Sequence, residues 1–397
     1  MVQRVARIRH VVLRDALWLN ADRAVAFSRV LLLVWLGLTV SVPWTVPGLR
    51  IGVDFAAFWT AGRLALDGQA ADAYGDAGRQ AMAALLGGTK YAPFFYPPTG
   101  LLLWVPFALL PFAAATAIWI AGTTAAYTVA IRVVLKARSY VAALAFPGAV
   151  IAAFFGQNAM LSAALFGGAA ATLERSPLLA GVFIGCLAYK PQLAVLAPLA
   201  LIVAGRWRAF FAATVTVAIL VAASATAFGR DAWSGFIVSL AGATAWNANG
   251  APGFNKFSSP YAAIRLLGGS ATTAWVVQGV LAALAIVVLI AVLRRRPGGA
   301  GEIAMLVVAT GFCVPFLGIY DVVLFMVAGA WLVSEANRTA WLSYERVTLV
   351  LLFLSPIAIL VLMTRGIPLA PVALAILAGL VIRRVFRPVS VPASVRG

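Results

Sequence analysis

Long apolar runs, separated by short stretches that carry polar residues or arginines, dominate the chain. Many of the runs approach the roughly 20 residues that a helix needs to cross a bilayer. The strict apolar–polar alternation of β-barrel strands does not run through the sequence. Because backbone polar groups in lipid must be satisfied within the segment, the pattern predicts an all-α, polytopic membrane protein.

Arginine clusters orient the predicted spans. They lie at the N-terminus and at 205–208, 294–296 and 383–387, and the positive-inside rule places them in the cytoplasm. The first span is predicted at 27–46. Later spans are predicted at 209–228, 272–293, 302–318, 321–334, 347–363 and 369–384.

This arrangement leaves two longer segments on the outer face, the first polar segment (47–96) and the second polar segment (229–270). A cytoplasmic arm (1–26) and a basic cytoplasmic tail (385–397) complete a single membrane domain over 1–397.

The region 97–204 is ambiguous. Its apolar runs cover 97–112, 114–135, 141–155, 159–173 and 177–204. Five crossings, an odd number, connect the outer segment 47–96 to the cytoplasmic arginines at 205–208, but they leave Lys136 and Arg138 outside, against the positive-inside rule. A re-entrant or half-length helix near Pro147 or the GQN at 156–158 is the alternative. We expect 11 spans, with 12 or 13 as the alternatives.

Composition supports the membrane class and excludes several functions. Of 397 residues, 63% are hydrophobic and 11% charged, and the mean hydropathy is +0.99. The net charge of +18 falls at span ends, so nucleic-acid binding is not expected. The only histidine is His10, which argues against a His-based metal site or a Ser-His-Asp triad. Cys186 and Cys313 lie in apolar runs and are predicted to be unpaired. No cleavable signal pattern precedes the first span.

One carboxylate interrupts this pattern just after the first span. Asp54 lies in GVDFAAFWTAG (52–62), where Phe55, Phe58, Trp59 and Gly62 follow a helical spacing. The stretch predicts an amphipathic helix on the membrane surface. Asp54 has a structural interpretation as the N-cap of that helix and a functional one as a catalytic acid or base.

Several motifs together resemble one family. GVDFAAFWTAGRLALDG is followed in order by YGDAG, FFYPPTGLLLWVPFALLP, FFGQNAMLSAALFGGAA and LLAGVFIGCLAYKPQLAVLAPLALIVAGRWRA. Over roughly 30–270 the chain resembles the polyprenyl-phosphate-mannose-dependent mannosyltransferases of glycosyltransferase family 87. The resemblance implies a GT-C-type fold and Asp54 as general base. It also implies a polyprenyl-phosphate sugar donor and a glycolipid or glycan acceptor on the outer face of the cytoplasmic membrane, with inversion at the sugar.

The residues are consistent with that chemistry. Polyprenyl phosphate leaves without protonation, so one carboxylate suffices to deprotonate the acceptor hydroxyl. A hydrolase would usually need two paired carboxylates. No cofactor or divalent metal is expected, because cationic side chains can hold the phosphate and no DxD-type motif is present. The candidate phosphate-binding residues are Arg63, Lys90, Lys190, Lys256 and Arg265.

Other polar residues are candidates for donor or acceptor binding, each with a structural alternative. They are Trp59, Tyr96, Gln157, Asn158, Gln192, Tyr320 and Asp321. The structural alternatives are a helix cap for Asp321, hydrogen bonds to backbone at a helix break for Gln157 and Asn158, and snorkelling at a span end for Lys190. A glycolipid transporter or flippase and a non-catalytic partner in cell-envelope assembly are the alternative functions, and neither requires Asp54.

Overall fold

The structure, a computed structural model, describes residues 13–45, 50–88, 93–136, 139–250 and 253–386. Within these ranges the chain is helical and forms no strand beyond an isolated bridge. The helices long and apolar enough to span a membrane are Ala21–Ser41, Phe112–Leu135, Trp207–Ala248, Ala271–Arg294, Ile319–Arg338 and Glu345–Met363. The shorter apolar helices are Pro98–Ala108, Ala159–Thr172, Pro177–Tyr189, Pro191–Val203 and Gly299–Cys313. The predicted all-α, polytopic membrane class is therefore confirmed.

The remaining helical elements complete the outline of the chain. They are Phe55–Leu66, Ala70–Tyr74, Asp76–Leu86, Val141–Ala145, Pro147–Phe155, Phe254–Lys256, Pro260–Leu266 and Ala370–Phe386. The cysteines Cys186 and Cys313 are free and partly buried, as predicted.

Ion pairs gather the arginines at one end of the helix bundle, which we call the basic end. The guanidinium of Arg206 binds Glu302 at 2.7 Å, and Arg384 pairs with Glu345 where both side chains are fully buried. The guanidinium of Arg295 lies 4.9 Å from the centroid of the Phe386 ring, within the range of a cation–π interaction. These contacts join the ends of helices that are far apart in sequence. The opposite end carries Asp54.

The region 97–204 differs from the sequence prediction in which segments cross. Helix Pro98–Ala108 does not run from end to end, because both of its ends lie beside the Asp54 region. Thr99 donates to the carbonyl of Ala188 at 2.8 Å, and the ring of Phe112, just after the helix, stacks 6.3 Å from that of Phe55. The crossing predicted at 97–112 is therefore wrong.

The segments of this region that run between the Asp54 end and the basic end are instead 112–135, 141–155, 159–172, 177–189 and 191–203, because the run predicted at 177–204 is two short helices that meet at Lys190. An apolar run has the same composition whether it crosses or packs on a neighbour, so the sequence could not separate the two cases.

This assignment removes the conflict with the charge rule. Trp119 donates to the carbonyl of Gly156 at 3.0 Å, and Gly167 abuts Ala130 further along. Helix Phe112–Leu135 therefore runs beside Ala159–Thr172 in the same direction, away from Asp54, and Lys136 at its end lies toward the basic end. Arg138 lies outside the described residues.

The second polar segment begins at a break in helix Trp207–Ala248. Gly229 has φ 75° and ψ 178°, outside the helical region, and glycine accepts this conformation without a steric cost. The helical residues beyond it pack on the first polar segment, where the rings of Phe236 and Tyr74 are 6.0 Å apart. The two polar segments therefore lie together at the end of the bundle that carries Asp54.

The position of Lys136 gives a topology prediction. In a variant without Cys186 and Cys313, Lys136→Cys and Arg294→Cys should react with a membrane-impermeant maleimide from the same face of sealed vesicles. Gln69→Cys, in the first polar segment, should react from the opposite face. Shared labelling of positions 136 and 69 would contradict the crossings given above.

Candidate active site

Two glycines allow the first polar segment to pack against residues 154–156, near the middle of the chain. The amide of Gly52 donates to the carbonyl of Phe154 at 2.7 Å, and the amide of Asp54 donates to Phe155 at 3.0 Å. Gly52 and Gly156 both have positive φ, and a Cβ at Gly156 would lie 3.0 Å from the Cα of Gly52. Only glycine permits this approach, which holds Asp54 beside the residues after Gly156.

Asp54 stands at the N-cap position of helix Phe55–Leu66 but does not cap it. Its φ and ψ are −80° and −22°, and its side chain makes no capping hydrogen bond. The carboxylate instead accepts a hydrogen bond from Nε2 of Gln157 at 2.8 Å, across 103 residues of sequence. The structural interpretation of Asp54 as a cap therefore does not account for this side chain.

Burial raises the pKa of the Asp54 carboxyl above its ordinary value, since the charged form loses hydration. The Gln157 hydrogen bond and the positive charge of Lys256 act in the opposite direction and lower that pKa. Asp54 lies outside the spanning helices. A carboxylate with a raised pKa is a stronger base, and such groups are found at catalytic sites.

Lys256 reaches this position because the loop that carries it is fastened to the bundle. The amide of Ser258 donates to the carbonyl of Leu317 at 2.7 Å, and Phe257 forms an isolated bridge with Gly318. Ser259 caps the following helix and also donates to the carbonyl of Pro315. Lys256 is exposed at the rim while it acts on Asp54, so its ammonium is accessible to an anionic ligand.

A buried ion pair forms the floor of the site. Nζ of Lys190 lies 2.7 Å from Oδ1 of Asp321 and 3.2 Å from Oδ1 of Asn158. The other carboxylate oxygen of Asp321 accepts from the amide of Gly318 at 3.1 Å, so Asp321 both caps and pairs. Lys190 is 5% exposed and Asp321 2% exposed. The pair therefore joins three interruptions between helices, at Asn158, Lys190 and Gly318.

Unpartnered polar atoms point to a ligand at this place. Oε1 of Gln157 and Nδ2 of Asn158 are buried and make no hydrogen bond of ordinary distance and angle, although the hydroxyls of Tyr320 and Tyr96 are close enough to interact with these two amide side chains. Buried polar groups are normally paired, so these two atoms fit a polar ligand that supplies the missing partners. Tyr96 and Tyr320 lie within electrostatic range of Asp54 and complete the cluster.

Other predicted site residues lie apart from this cluster. Arg63 pairs with Asp67 at 3.3 Å on the far turn of helix Phe55–Leu66, and both are half exposed. The indole of Trp59 donates to the carbonyl of Leu110 at 3.0 Å. The guanidinium of Arg265 lies 4.8 Å from the ring of Phe254. Gln192 is exposed, and Lys90 lies outside the described residues.

Sequence reasoning missed two hydroxyl groups behind the site. The hydroxyls of Tyr189 and Ser162 are 2.6 Å apart, and Tyr189 also donates to the carbonyl of Asn158 at 3.2 Å. These bonds fix the turn that presents Asn158. The proximity of Tyr189 to Lys190 in sequence was the only available signal. Across the described ranges, no group of three His, Cys, Asp or Glu residues could hold a metal ion.

The fold and the cluster define a multi-pass membrane protein with one polar site at the end of its bundle. The sequence model of glycosyltransferase family 87 matches residues 94–319, more than half of the chain, and the chain belongs to this family. It is therefore a membrane glycosyltransferase. No curated protein and no solved structure matches it. The matched range includes Gln157 and Lys190 but not Asp54, whose role therefore depends on the geometry.

The Lys190–Asp321 pair predicts a stability pattern. Lys190→Met or Asp321→Leu alone leaves an unpaired buried charge and should destabilise the protein by about 3–5 kcal/mol. The double variant removes both charges and should recover most of that loss. Arg63→Ala, which breaks an exposed pair, should cost at most about 1 kcal/mol. Thermal unfolding of the purified protein in detergent measures all four, and equal losses for the single and double variants would contradict the argument.

Proposed function

We propose that the protein transfers a sugar, mannose first among the candidates, from a polyprenyl-phosphate donor to a hydroxyl of a glycolipid or glycan. Family membership supports sugar transfer. The Asp54 carboxylate is the observation that supports the proposal beyond family membership. It lies at the N-cap position of its helix but makes no capping hydrogen bond. It accepts a hydrogen bond from Gln157 instead, in a buried cluster of polar side chains.

Asp54 acts as general base in this proposal. It takes the proton of the acceptor hydroxyl as that oxygen forms its bond to the anomeric carbon. The bond from that carbon to the phosphate oxygen breaks, and its electron pair leaves with the polyprenyl phosphate. One displacement at the carbon inverts its configuration. The leaving group departs as an anion and needs no protonation.

The departing phosphate requires positive charge nearby. Lys256 is the candidate with the strongest support, because it is exposed and acts electrostatically on Asp54. The charge of Lys190 is already balanced by Asp321, so in our proposal Lys190 orients Asn158 and contributes to phosphate binding indirectly. Gln157, Asn158, Tyr96 and Tyr320 supply hydrogen bonds to the sugar.

The proposed orientation has the site on the outer face of the cytoplasmic membrane. The arginines of the basic end favour the cytoplasm by the positive-inside rule. Helix Ala159–Thr172 has 14 residues, or about 21 Å at 1.5 Å per residue, against a hydrocarbon core of about 30 Å. The site therefore lies below the outer surface, at a depth that a lipid-linked phosphate can reach.

Asp54→Asn tests the proposed base. The amide keeps the size of the side chain but cannot accept the proton, so transfer from polyprenyl-phosphate mannose should fall by at least about 100-fold. Asp67→Asn, at the other end of the same helix, is the matched control and should retain activity. Elution and melting in detergent should be unchanged for both. Wild-type turnover by Asp54→Asn would exclude this role.

The pH profile tests the environment of Asp54. The base must be deprotonated, so kcat/KM should fall as the pH falls through a pKa above the ordinary aspartate value of about 3.9. Gln157→Leu removes a hydrogen bond that lowers this pKa, so the acid limb of the plot of kcat/KM against pH should move to higher pH. Arg63→Ala should leave the limb in place. A limb that moves to lower pH in Gln157→Leu would be inconsistent with this account.

A further inference from the structure

A cavity next to the candidate active site lies along helix Phe55–Leu66, between the two polar segments. Its volume is about 340 Å³. Ala57, which lines it, is one turn from Asp54, and its amide lies 3.3 Å from the Asp54 carbonyl. Phe94 and Phe95 line another wall and lead directly to Tyr96. The cavity is therefore adjacent to the candidate active site.

One buried hydroxyl in the cavity has no partner. Thr60 is 4% exposed, and its Oγ1 makes no hydrogen bond. Several other helical threonines bond the carbonyl four residues back, as Thr116 does to Phe112 at 2.7 Å and Thr123 to Trp119 at 2.8 Å. Thr60 lines the cavity without that bond, so its hydroxyl remains for a ligand.

The rest of the lining combines aromatic rings with a few polar groups. Tyr74, Phe94 and Trp246 supply rings, and Arg79 supplies a charged group near its partner Asp76. A sugar ring presents apolar C–H faces and polar hydroxyl edges, which match such a lining.

Another cavity among the described residues has a different chemistry. It has a volume of about 230 Å³, and its lining, which includes Leu32, Trp35, Ile51 and Phe154, carries no charged side chain. An isoprenoid tail fits that apolar surface better than a sugar does. The two cavities flank the turn that carries Asp54, since Ile51 lines one and Ala57 the other.

We propose that the 340 Å³ cavity binds the sugar headgroup of the acceptor, with the Thr60 hydroxyl bonded to a sugar hydroxyl and a neighbouring hydroxyl directed to Asp54. This inference rests on the proposed function, because it assigns the acceptor of the same site. It makes Thr60 a binding residue and Trp246 part of the acceptor surface.

Cysteine protection tests the cavity without catalysis. Gly242 lines it, and a Cβ there meets no atom within 4 Å. Gly242→Cys is made in the Asp54→Asn, Cys186→Ala, Cys313→Ala background and labelled with a maleimide. Octyl mannoside should slow labelling at least about threefold. Tetraethylene glycol monooctyl ether, which has the same chain but no sugar, should not.

Matched variants sharpen this test. Gly379→Cys, another exposed helical glycine with nothing within 4 Å, should label at one rate with and without the mannoside. Thr60→Val should raise the octyl mannoside concentration that gives half-maximal protection about fivefold, as expected for one lost hydrogen bond. Thr128→Val, which removes another buried unpartnered hydroxyl outside the cavity, should not.

Three results would overturn the assignment. The first is no protection by the mannoside, and the second is equal protection by the glycol ether. The third is protection by farnesyl phosphate, which would identify the cavity as the binding site of the donor. Because no sugar donor is added, no turnover occurs in this assay, and none of these results depends on whether Asp54 is the base. If the Asp54→Asn enzyme were active, the proposed base would be wrong, and the protection result would still test the acceptor cavity independently.

Discussion

The close approach of Gly52 and Gly156 is the constraint on which the candidate active site depends. Two backbone hydrogen bonds, from Gly52 to Phe154 and from Asp54 to Phe155, hold the first polar segment against a break between two helices of the bundle. A side chain on Gly156 would meet the backbone of Gly52, and one on Gly52 would meet the side chain of Thr116. Without this contact, the Asp54 carboxylate and the amide of Gln157 would lose their alignment.

The site is built from chain breaks rather than from helix faces. The breaks near Gly156, Lys190 and Gly318 lie close together, because hydrogen bonds join Lys190 to Asn158 and Asp321, and Asp321 to the amide of Gly318. Within a membrane protein, irregular backbone is tolerated only where protein or a water-filled cavity surrounds it. The buried Lys190–Asp321 pair closes this arrangement. Its desolvation is offset by the hydrogen bond that Lys190 donates to Asn158 and by the one that the amide of Gly318 donates to Asp321.

The two polar segments give the site its surroundings. The second segment turns back at Gly229, packs on the first through Phe236 and Tyr74, and is fastened near Asp321 by its backbone bond to Leu317. Its loop carries Lys256 to the rim, where its charge opposes the effect of burial on the Asp54 carboxyl.

The sequence by itself determined the membrane class, the basic end, the two polar segments and Asp54 as the exceptional carboxylate, because hydropathy, arginine position and residue spacing are local properties. Only the tertiary structure decided that Pro98–Ala108 does not cross, that Asp54 does not cap its helix, and that Lys190 is paired. Each of these depends on a partner far along the chain, such as Gln157 for Asp54, 103 residues away, or Asp321 for Lys190, 131 residues away. Local pattern carries no information about such distant contacts.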